Sequence, residues 1–492
     1  MQKPARDLFW KLHKYAGLTA CLWLFVLGLT GVLLDHHEWR WLNQNSVPAS
    51  WTSKQIGRLV PGTVMRHVAV SGKALLGASE RGTWYSPDQG RSWLPVAFAG
   101  ESGQPQVHGL ASVTRSGGPS RFLATDDGLW LLADDLRSAQ RAGLSGSNLT
   151  SLSEGHADGT LMAVRDHSEL LQIDTQGGVS VLPIRPSLTG LGADVPVQRV
   201  VMEIHFGRGL LPGQWAIWLN DLGGMALIVL SATGLGYWWV TRPGRRRGLS
   251  LAAQRGTIRW LFRSHGPVIG LLAVVPILYL SITAIPLNHI YGFIESVKGK
   301  TVDRTLLPPA YRLTTFDHAI DGAVAWPGQP GRISLATRFG IVESRDNGWT
   351  WQPDLTIPVP DGAPGANLFR SGNRVFAGIG GGDNFSRTAT GGWEPINGPS
   401  TAITSATATK GGWMIKNSRG FFVAPTGSNQ FTDVKIPFKS AAPGTPLFLF
   451  IADIHAGVIF HEQFKWLNDL FAGLAILLAI SGPVIWFRRK WI

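Results

Sequence analysis

Two stretches of this chain carry the same chemistry at both ends: an uncharged apolar run of membrane length, bracketed by imidazoles. Residues Tyr15 to Leu34 lie between His13 and His36–His37, and Gly266 to Leu287 lie between His265 and His289. A second duplicated block follows each run. Glu203-Ile204-His205-Phe206-Gly207 leads to Trp218-Leu219-Asn220-Asp221-Leu222, and Asp453-Ile454-His455-Ala456-Gly457 leads to Trp466-Leu467-Asn468-Asp469-Leu470. Neutral imidazole suits iron, and a low-spin haem takes two axial nitrogens on opposite faces. Imidazoles paired at both faces of a membrane would therefore carry electrons across it on haem. A lone interfacial histidine is ordinarily only a polar residue tolerated at the headgroups. Duplication is what singles out six of the thirteen.

If the halves pack about a pseudo-two-fold axis, each matched pair faces itself across that axis. His13 and His265 stand at one end of their runs, in Trp10-x-x-His13 and Phe262-x-x-His265, with no other histidine on that side. At the other end His36, His37, His205, His289, His455 and His461 compete. From His13 to His36 is roughly 35 Å of straight helix, and those side chains diverge by about 140°. Pro267, Pro276 and Pro286 are placed to bend the second run. The second haem is thus not required to sit between the same helices as the first. The order of preference for its ligands is His205–His455, then His36–His289, then a mixed pair. Small residues beside the ligands (Ala16, Gly17, Gly28, Gly31, Gly266, Gly270, Gly207, Gly457) would let a flat macrocycle approach the backbone, or would serve helix packing alone.

The elements that must hold these residues are membrane helices. Leu222 to Thr241 and Leu470 to Phe487 are also uncharged. With the two bracketed runs they make four segments of about 18 to 22 residues, enough for a hydrocarbon core. The formal charge of +13 does not point to nucleic acid, because the basic residues cluster beside apolar runs. They lie at the N-terminus (Lys3, Arg6, Lys11, Lys14), between the second and third runs (Arg242, Arg245, Arg246, Arg247, Arg255, Arg259, Arg263), and at Arg488-Arg489-Lys490. The positive-inside rule places all three in the cytoplasm and both long insertions outside, in the periplasm of a bacterial inner membrane. Trp39, Trp41, Trp215, Trp218, Trp466 and Trp486 fit interfacial belts. The first run is too long for a signal peptide, and the lipoprotein-like Leu18-Thr19-Ala20-Cys21 has its apolar stretch on the wrong side. Cys21 is the only cysteine, so no Cys-x-x-Cys-His attachment exists and any haem is b-type.

The insertions are rich in Gly, Ser, Thr, Pro and Trp. Ser86-Pro87-Asp88-Gln89-Gly90-Arg91-Ser92-Trp93 and Ser344-Arg345-Asp346-Asn347-Gly348-Trp349-Thr350-Trp351 share Ser-x-Asp-x-Gly-x-Ser/Thr-Trp. This resembles the Asp-box, a hairpin turn of propeller blades in which the Asp accepts turn N–H bonds and the Gly takes a positive φ. Thr125-Asp126-Asp127-Gly128-Leu129-Trp130 and Gly391-Gly392-Trp393 read as degenerate copies. Strand-like runs begin near Val64, Val107, Ser151, Ala319, Ala366 and Ala402. A repeat of 40–50 residues is a blade signature, so about six blades are expected, three from each insertion. No arginine cluster or Tyr/Glu pair argues for glycosidase chemistry, and the glycine run 378–383 is a turn rather than a nucleotide loop.

The fold class is therefore an α-helical membrane protein with four transmembrane helices in two pseudo-symmetric halves, plus periplasmic all-β, propeller-like insertions. The expected divisions are 1–41, first span; 42–200, first insertion; 201–241, interfacial segment and second span; 242–263, basic loop. They continue with 264–299, third span; 300–446, second insertion; and 447–492, interfacial segment, fourth span and basic tail.

Leu12-His13-x-x-x-Gly17, Ile204-His205-x-Gly207, Ser264-His265 and Ile454-His455-x-Gly457 resemble the PepSY-associated transmembrane helix family, which includes haem-containing siderophore-iron reductases. The resemblance covers the four spans, about a third of the chain; a PepSY domain is not evident, and Asp-box-like repeats stand in its place. It implies passage of electrons outward through b haems, two in number, to a ferric siderophore or other ferric chelate, released as ferrous iron. His13, His265, His205, His455, His36 and His289 are the candidate axial ligands, and no separate catalytic group is expected. With no dinucleotide or flavin fingerprint, the electron donor is a separate molecule, a quinol or a cytoplasmic reductase. The alternatives are a relay to a periplasmic partner protein, and a non-redox membrane-anchored propeller for binding or regulation.

Overall fold

The computed structural model describes residues 3–115, 118–185, 190–241, 251–357, 366–380, 382–438 and 443–489. The basic residues Arg242, Arg245, Arg246, Arg247 and Lys490 lie outside the described residues. Three helices, Leu8–Asp35, Gln214–Thr241 and Glu462–Phe487, are long and apolar enough to cross a membrane. A fourth candidate is a bent pair, Arg255–Gly270 and Val274–Asn288, meeting at 67°. We refer to these in chain order as the first, second, third (bent) and fourth spans.

The first span packs against the second and fourth, and the third against the same two. Their shared core is built of small and medium side chains: Ala20, Leu24, Ala226, Ala273, Ile277 and Ala475 are buried there. Lipid tails are as apolar as leucine, so close backbone approach rather than hydrophobic expulsion holds such helices together. The first and second spans come closest at Gly28, where an added Cβ would lie 2.6 Å from the Gly224 carbonyl oxygen.

The halves differ by one residue inside the membrane, and the helix absorbs it. His13 and Thr30 are seventeen residues apart, whereas His265 and Thr283 are eighteen apart. One extra residue in an α-helix rotates everything beyond it by about 100°. Ser264–Gly270, however, is a π-helix, and a π turn accommodates a single inserted residue. Its wider turn brings the Gly270 Cα close to the His265 carbonyl: a Cβ would stand 2.5 Å from that oxygen. His265 and Thr283 each meet a partner in the first half, as His13 and Thr30 meet partners in the second, although the third span bends by 67° between them.

Six antiparallel sheets follow from the two insertions. Their first strands are His67–Ser71, Val107–Arg115, Leu149–Glu154, Ile320–Ala325, Ala366–Ser371 and Ile403–Thr409, close to the runs the sequence marks. Each sheet has four antiparallel strands in meander order; in the second sheet the fourth of them (Ser138–Gly143) also pairs in parallel with Ala97–Phe98, making five strands. The first strand of each sheet packs beside that of the next, and Ile403–Thr409 packs beside His67–Ser71. The arrangement is propeller-like. Two short ladders tie the insertions together: Ser46–Val47 with Thr445–Pro446, and Asp194–Pro196 with Thr301–Asp303.

The two Ser-x-Asp-x-Gly turns close in the same way. Asp88 Oδ1 accepts the Ser92 N–H at 2.8 Å and Oδ2 the Ser92 hydroxyl at 2.7 Å. Asp346 does the same for Thr350, at 2.9 and 2.6 Å. Gly90 and Gly348 have φ of 92° and 91°, a region that suits only glycine among ordinary residues. These donors hold the Asp88 and Asp346 carboxyls down to about 2. Trp351 is wholly buried beneath its turn. The segment Thr125–Gly128 differs from expectation: it joins the second and third strands of its sheet, whereas both Asp turns follow a third strand. The glycine-rich run 378–383 spans the connection between strands Arg374–Ile379 and Asn384–Thr388.

Deleting Val268, which lies in the π segment and is exposed, should convert that turn to α-helix and leave the thermal midpoint in detergent within a few degrees of wild type. Deleting Leu22, also exposed but in the uninterrupted first span, should rotate Thr30 by about 100° and abolish cooperative unfolding. Equal tolerance of both deletions would show that the π turn does not set the phase.

Candidate functional site

Four histidines are gathered in two places within the helices. His13 and His265 have ring centres 6.3 Å apart with their planes at 83°. His205 and His455 end the short helices Val197–His205 and Leu447–His455, which pack on the third and first spans respectively. His205 lies within Coulomb reach of His455.

Every one of these imidazoles is held through Nδ1 by a hydroxyl. His13 Nδ1 meets Ser481 Oγ at 2.8 Å, His265 meets Thr233 Oγ1 at 3.1 Å, His205 meets Thr283 Oγ1 at 2.9 Å, and His455 meets Thr30 Oγ1 at 2.9 Å. The direction of these bonds follows from the hydroxyls. Thr30, Thr233 and Thr283 each donate their single hydrogen to the carbonyl four residues back, at 2.6–2.7 Å. Ser481 donates to the Leu478 carbonyl at 3.4 Å. A hydroxyl has one hydrogen and two lone pairs, so toward the ring it accepts. With the threonine hydrogens on the helix carbonyls, Nδ1 of His265, His205 and His455 is the protonated nitrogen, and Nε2 keeps its lone pair. The carbonyls of Leu280, Leu230 and Leu27, three residues before the threonine anchors, also lie within hydrogen-bond reach of the rings of His205, His265 and His455.

The anchors are reciprocal between the halves. Thr30 and Thr233 belong to the first half and hold His455 and His265; Thr283 and Ser481 belong to the second and hold His205 and His13. After each anchor comes a small residue: Gly31, Gly234, Ala284 and Gly482. A Cβ on Gly234 would stand 3.0 Å from His265 Cε1, and those on Gly31 and Gly482 would stand 3.5 Å from the rings of His455 and His13.

The duplicated Trp-Leu-Asn-Asp-Leu blocks now acquire distinct tasks. Asn220 and Asn468 donate to the carbonyls of His205 and His455 at 3.1 and 2.9 Å. Their side-chain oxygens accept from Tyr279 and Trp23 at 2.8 and 2.7 Å. Gly207 makes the turn that brings this about: its φ is 70°, and a Cβ there would lie 2.5 Å from the Ala216 carbonyl. The neighbouring aspartates serve the other two candidates. His36 Nε2 is 3.0 Å from Asp221 Oδ2, with its ring stacked on Trp39. His289 Nε2 is 2.6 Å from Asp469 Oδ2, which Asn288 also steadies through Oδ1 at 2.9 Å. Both Nε2 atoms are thus engaged within their own halves, and His36 and His289 make no contact with each other among the described residues.

A cavity of about 350 Å³ opens between the helices around His13 and His265, walled in part by Gly17, Gly234, Gly270 and Gly482. Among the described residues no three His, Cys, Asp or Glu side chains converge as a metal site. The pairs offer two nitrogens each and nothing more. The hydroxyl anchors escape a reading based on histidines alone, yet they leave a trace: Thr30-Gly31, Thr233-Gly234, Thr283-Ala284 and Ser481-Gly482 put a hydroxyl and a small residue together once per span.

A family model described as the PepSY-associated TM region matches residues 10–489. No curated protein matches the chain. Among solved structures, an ancestral GH74 enzyme is similar at a TM-score of 0.33 and 10% identity, over 74% of this chain and 37% of that one. The chain thus spans little more than a third of that enzyme's length. BamB from Moraxella catarrhalis is similar at a TM-score of 0.27 and 10% identity, over 72% of this chain and 94% of that one.

Replacing Thr30 or Thr283 by valine keeps the shape and removes the hydroxyl acceptor, leaving the ring of His455 or His205 only the carbonyl of Leu27 or Leu280. Each change should cost about 1–3 kcal/mol of stability. Thr241→Val should cost less than about 0.5 kcal/mol, since among the described residues that hydroxyl serves carbonyls of its own helix. Thermal unfolding of the three variants in one detergent measures the contrast.

Proposed function

The chain belongs to the PepSY-associated TM family, and from that premise we propose that it is a b-type di-haem reductase of the bacterial inner membrane. His13 and His265 would hold one haem and His205 and His455 the other. The observation that carries this reading is the set of four imidazoles, each engaged at Nδ1 by a hydroxyl of the other half, which would leave Nε2 for a metal. Two nitrogens are too few for a protein-only metal site, but they suffice for a macrocycle that brings four of its own. Two imidazoles sharing one metal at about 2.1 Å each have ring centres roughly 6 Å apart, and the His13–His265 separation fits that. Bound haem would supply reversible one-electron transfer.

The chain's own residues then have these tasks. The hydroxyl anchors fix tautomer and ring orientation, which in a metal-ligating histidine also sets ligand basicity. Gly17, Gly31, Gly234 and Gly482 leave room beside the rings. Asn220 and Asn468 lock the helices that carry His205 and His455. His36 and His289, engaged by Asp221 and Asp469, are not needed as ligands. Seventeen residues from His13 to Thr30 are roughly 25 Å of helix, most of a hydrocarbon core of about 30 Å. The two sites would therefore stand near opposite faces.

The distribution of Lys and Arg puts the His13–His265 site on the cytoplasmic side, where a quinol or a cytoplasmic reductase would donate. The six sheets, with their Asp-box turns, would form one closed propeller in the periplasm. The acceptor would be a ferric siderophore or other ferric chelate, with one electron converting ferric to ferrous iron.

A dithionite-reduced sample of pure protein should show a sharp b-type α-band near roughly 560 nm, as bis-imidazole ligation gives low-spin haem, with two haems per chain. His13→Ala and His265→Ala should each remove one haem and spare the other; loss of both or of neither would break the two-site assignment. Rapid reoxidation of the reduced protein by a ferric siderophore is the expected result, and failure to reoxidise would favour a protein partner as acceptor.

A further inference from the structure

The cavity around His13 and His265 is chemically lopsided. Among the described residues that line it, Lys14 is the only lysine or arginine, and none is an aspartate or glutamate. One end of the cavity is apolar: Leu24, Ile277 and Ala475 line it there, and all three belong to the shared core of the spans. The other end is aromatic, with Trp10 near the start of the first span and Trp238 and Trp486 near the ends of the second and fourth.

Lys14 reaches toward the aromatic end. Side chains on an α-helix lean toward its N-terminus, and Lys14 Nζ lies 5.2 Å from the centre of the Trp10 ring, one turn back. The Tyr15 ring is 5.4 Å away. Rings hold a cation without neutralising it, and among the described residues no carboxylate pairs with Lys14. The residue is half-buried. Its stem therefore lies along apolar wall while the ammonium stands where cavity and aromatic rim meet.

The two halves differ at this point. Lys14 directly follows His13, whereas Gly266 directly follows His265. The imidazoles are matched across the cavity, but the charge is present once and at one end. A cavity with one ammonium, no carboxylate and an apolar far end suits a ligand that is anionic along one edge and apolar along the other. A b-type haem has that form: both of its propionates sit on one edge, and its vinyl groups lie away from them.

We propose that the Lys14 ammonium binds the propionate edge of the haem in this cavity and so fixes which edge of the macrocycle faces the Trp10 end. The vinyl-bearing side then lies against Leu24, Ile277 and Ala475. This assignment rests on the reductase reading, which puts a haem between His13 and His265.

The test follows haem loss from the purified full-length protein in detergent to excess apomyoglobin. The phase that is missing in His13→Ala belongs to this site. Lys14→Gln should speed that phase at least about tenfold, the worth of one charge-assisted hydrogen bond, and leave the other phase unchanged. Lys14→Arg should recover most of the difference. Lys11→Gln, an exposed lysine one turn earlier and outside the lining, should have no effect. Protein emptied and refilled with haem dimethyl ester, which has no free carboxylate, should lose it from this site equally fast with lysine or glutamine at position 14. An unaltered loss of natural haem in Lys14→Gln, the result if the ammonium serves only lipid headgroups, would overturn the proposal. Equal acceleration for the ester would overturn it too, by making Lys14 a packing residue. Either result in protein that holds haem sinks only the Lys14 assignment; wild-type protein with no haem to lose sinks the reductase reading and this inference with it.

Discussion

A ring N–H buried among membrane helices must find an acceptor, because lipid offers none and an unmet donor there costs several kcal/mol. In this protein each of the four central imidazoles finds it on the other half of the chain. Thr30 and Thr233 serve His455 and His265, and Thr283 and Ser481 serve His205 and His13. Neither half supplies the hydroxyl for its own members of this set of four. The bundle therefore comes together as a pair of interlocked halves, and the same bonds that join them engage Nδ1 of each ring. Packing and site geometry are one constraint.

That constraint explains the irregularities of the helices. The π segment at Ser264–Gly270 is a local departure from ideal geometry that begins beside His265, and the 67° bend follows it. The positive φ of Gly207 and Gly457 turns the chain back so that Asn220 and Asn468 reach the carbonyls of His205 and His455. In each case a costly backbone feature sits where a histidine must be placed.

The sheets are tied to the same histidines through carboxylates two residues ahead of them. Glu203 pairs with Arg338 of the fourth sheet. Asp453 accepts the Ser53 N–H and hydroxyl at 2.6 and 2.7 Å, on the segment leading into the first sheet. Arg40, just past the first span, reaches Asp126 of the second sheet at 2.8 Å. The ladders Ser46–Val47 with Thr445–Pro446 and Asp194–Pro196 with Thr301–Asp303 add backbone ties between the insertions. Any shift of the sheets is transmitted directly to the short helices bearing His205 and His455.

The sequence by itself determined the apolar runs, the β character of the insertions, the two Asp turns and the duplicated histidines, because hydropathy, composition and turn chemistry are local properties. It also ranked His205–His455 ahead of His36–His289, on length and helical phase alone. Only the tertiary structure decided what each histidine does with its nitrogens. His36 and His205 look alike in the sequence, each beside an apolar run, but one faces Asp221 and the other Thr283. The partners lie 185 and 78 residues away, and no local pattern encodes a contact across that distance. The π turn was hidden for the same reason. A one-residue difference between Gly266–Thr283 and its counterpart has no meaning until packing gives each end of the helix a partner in the other half.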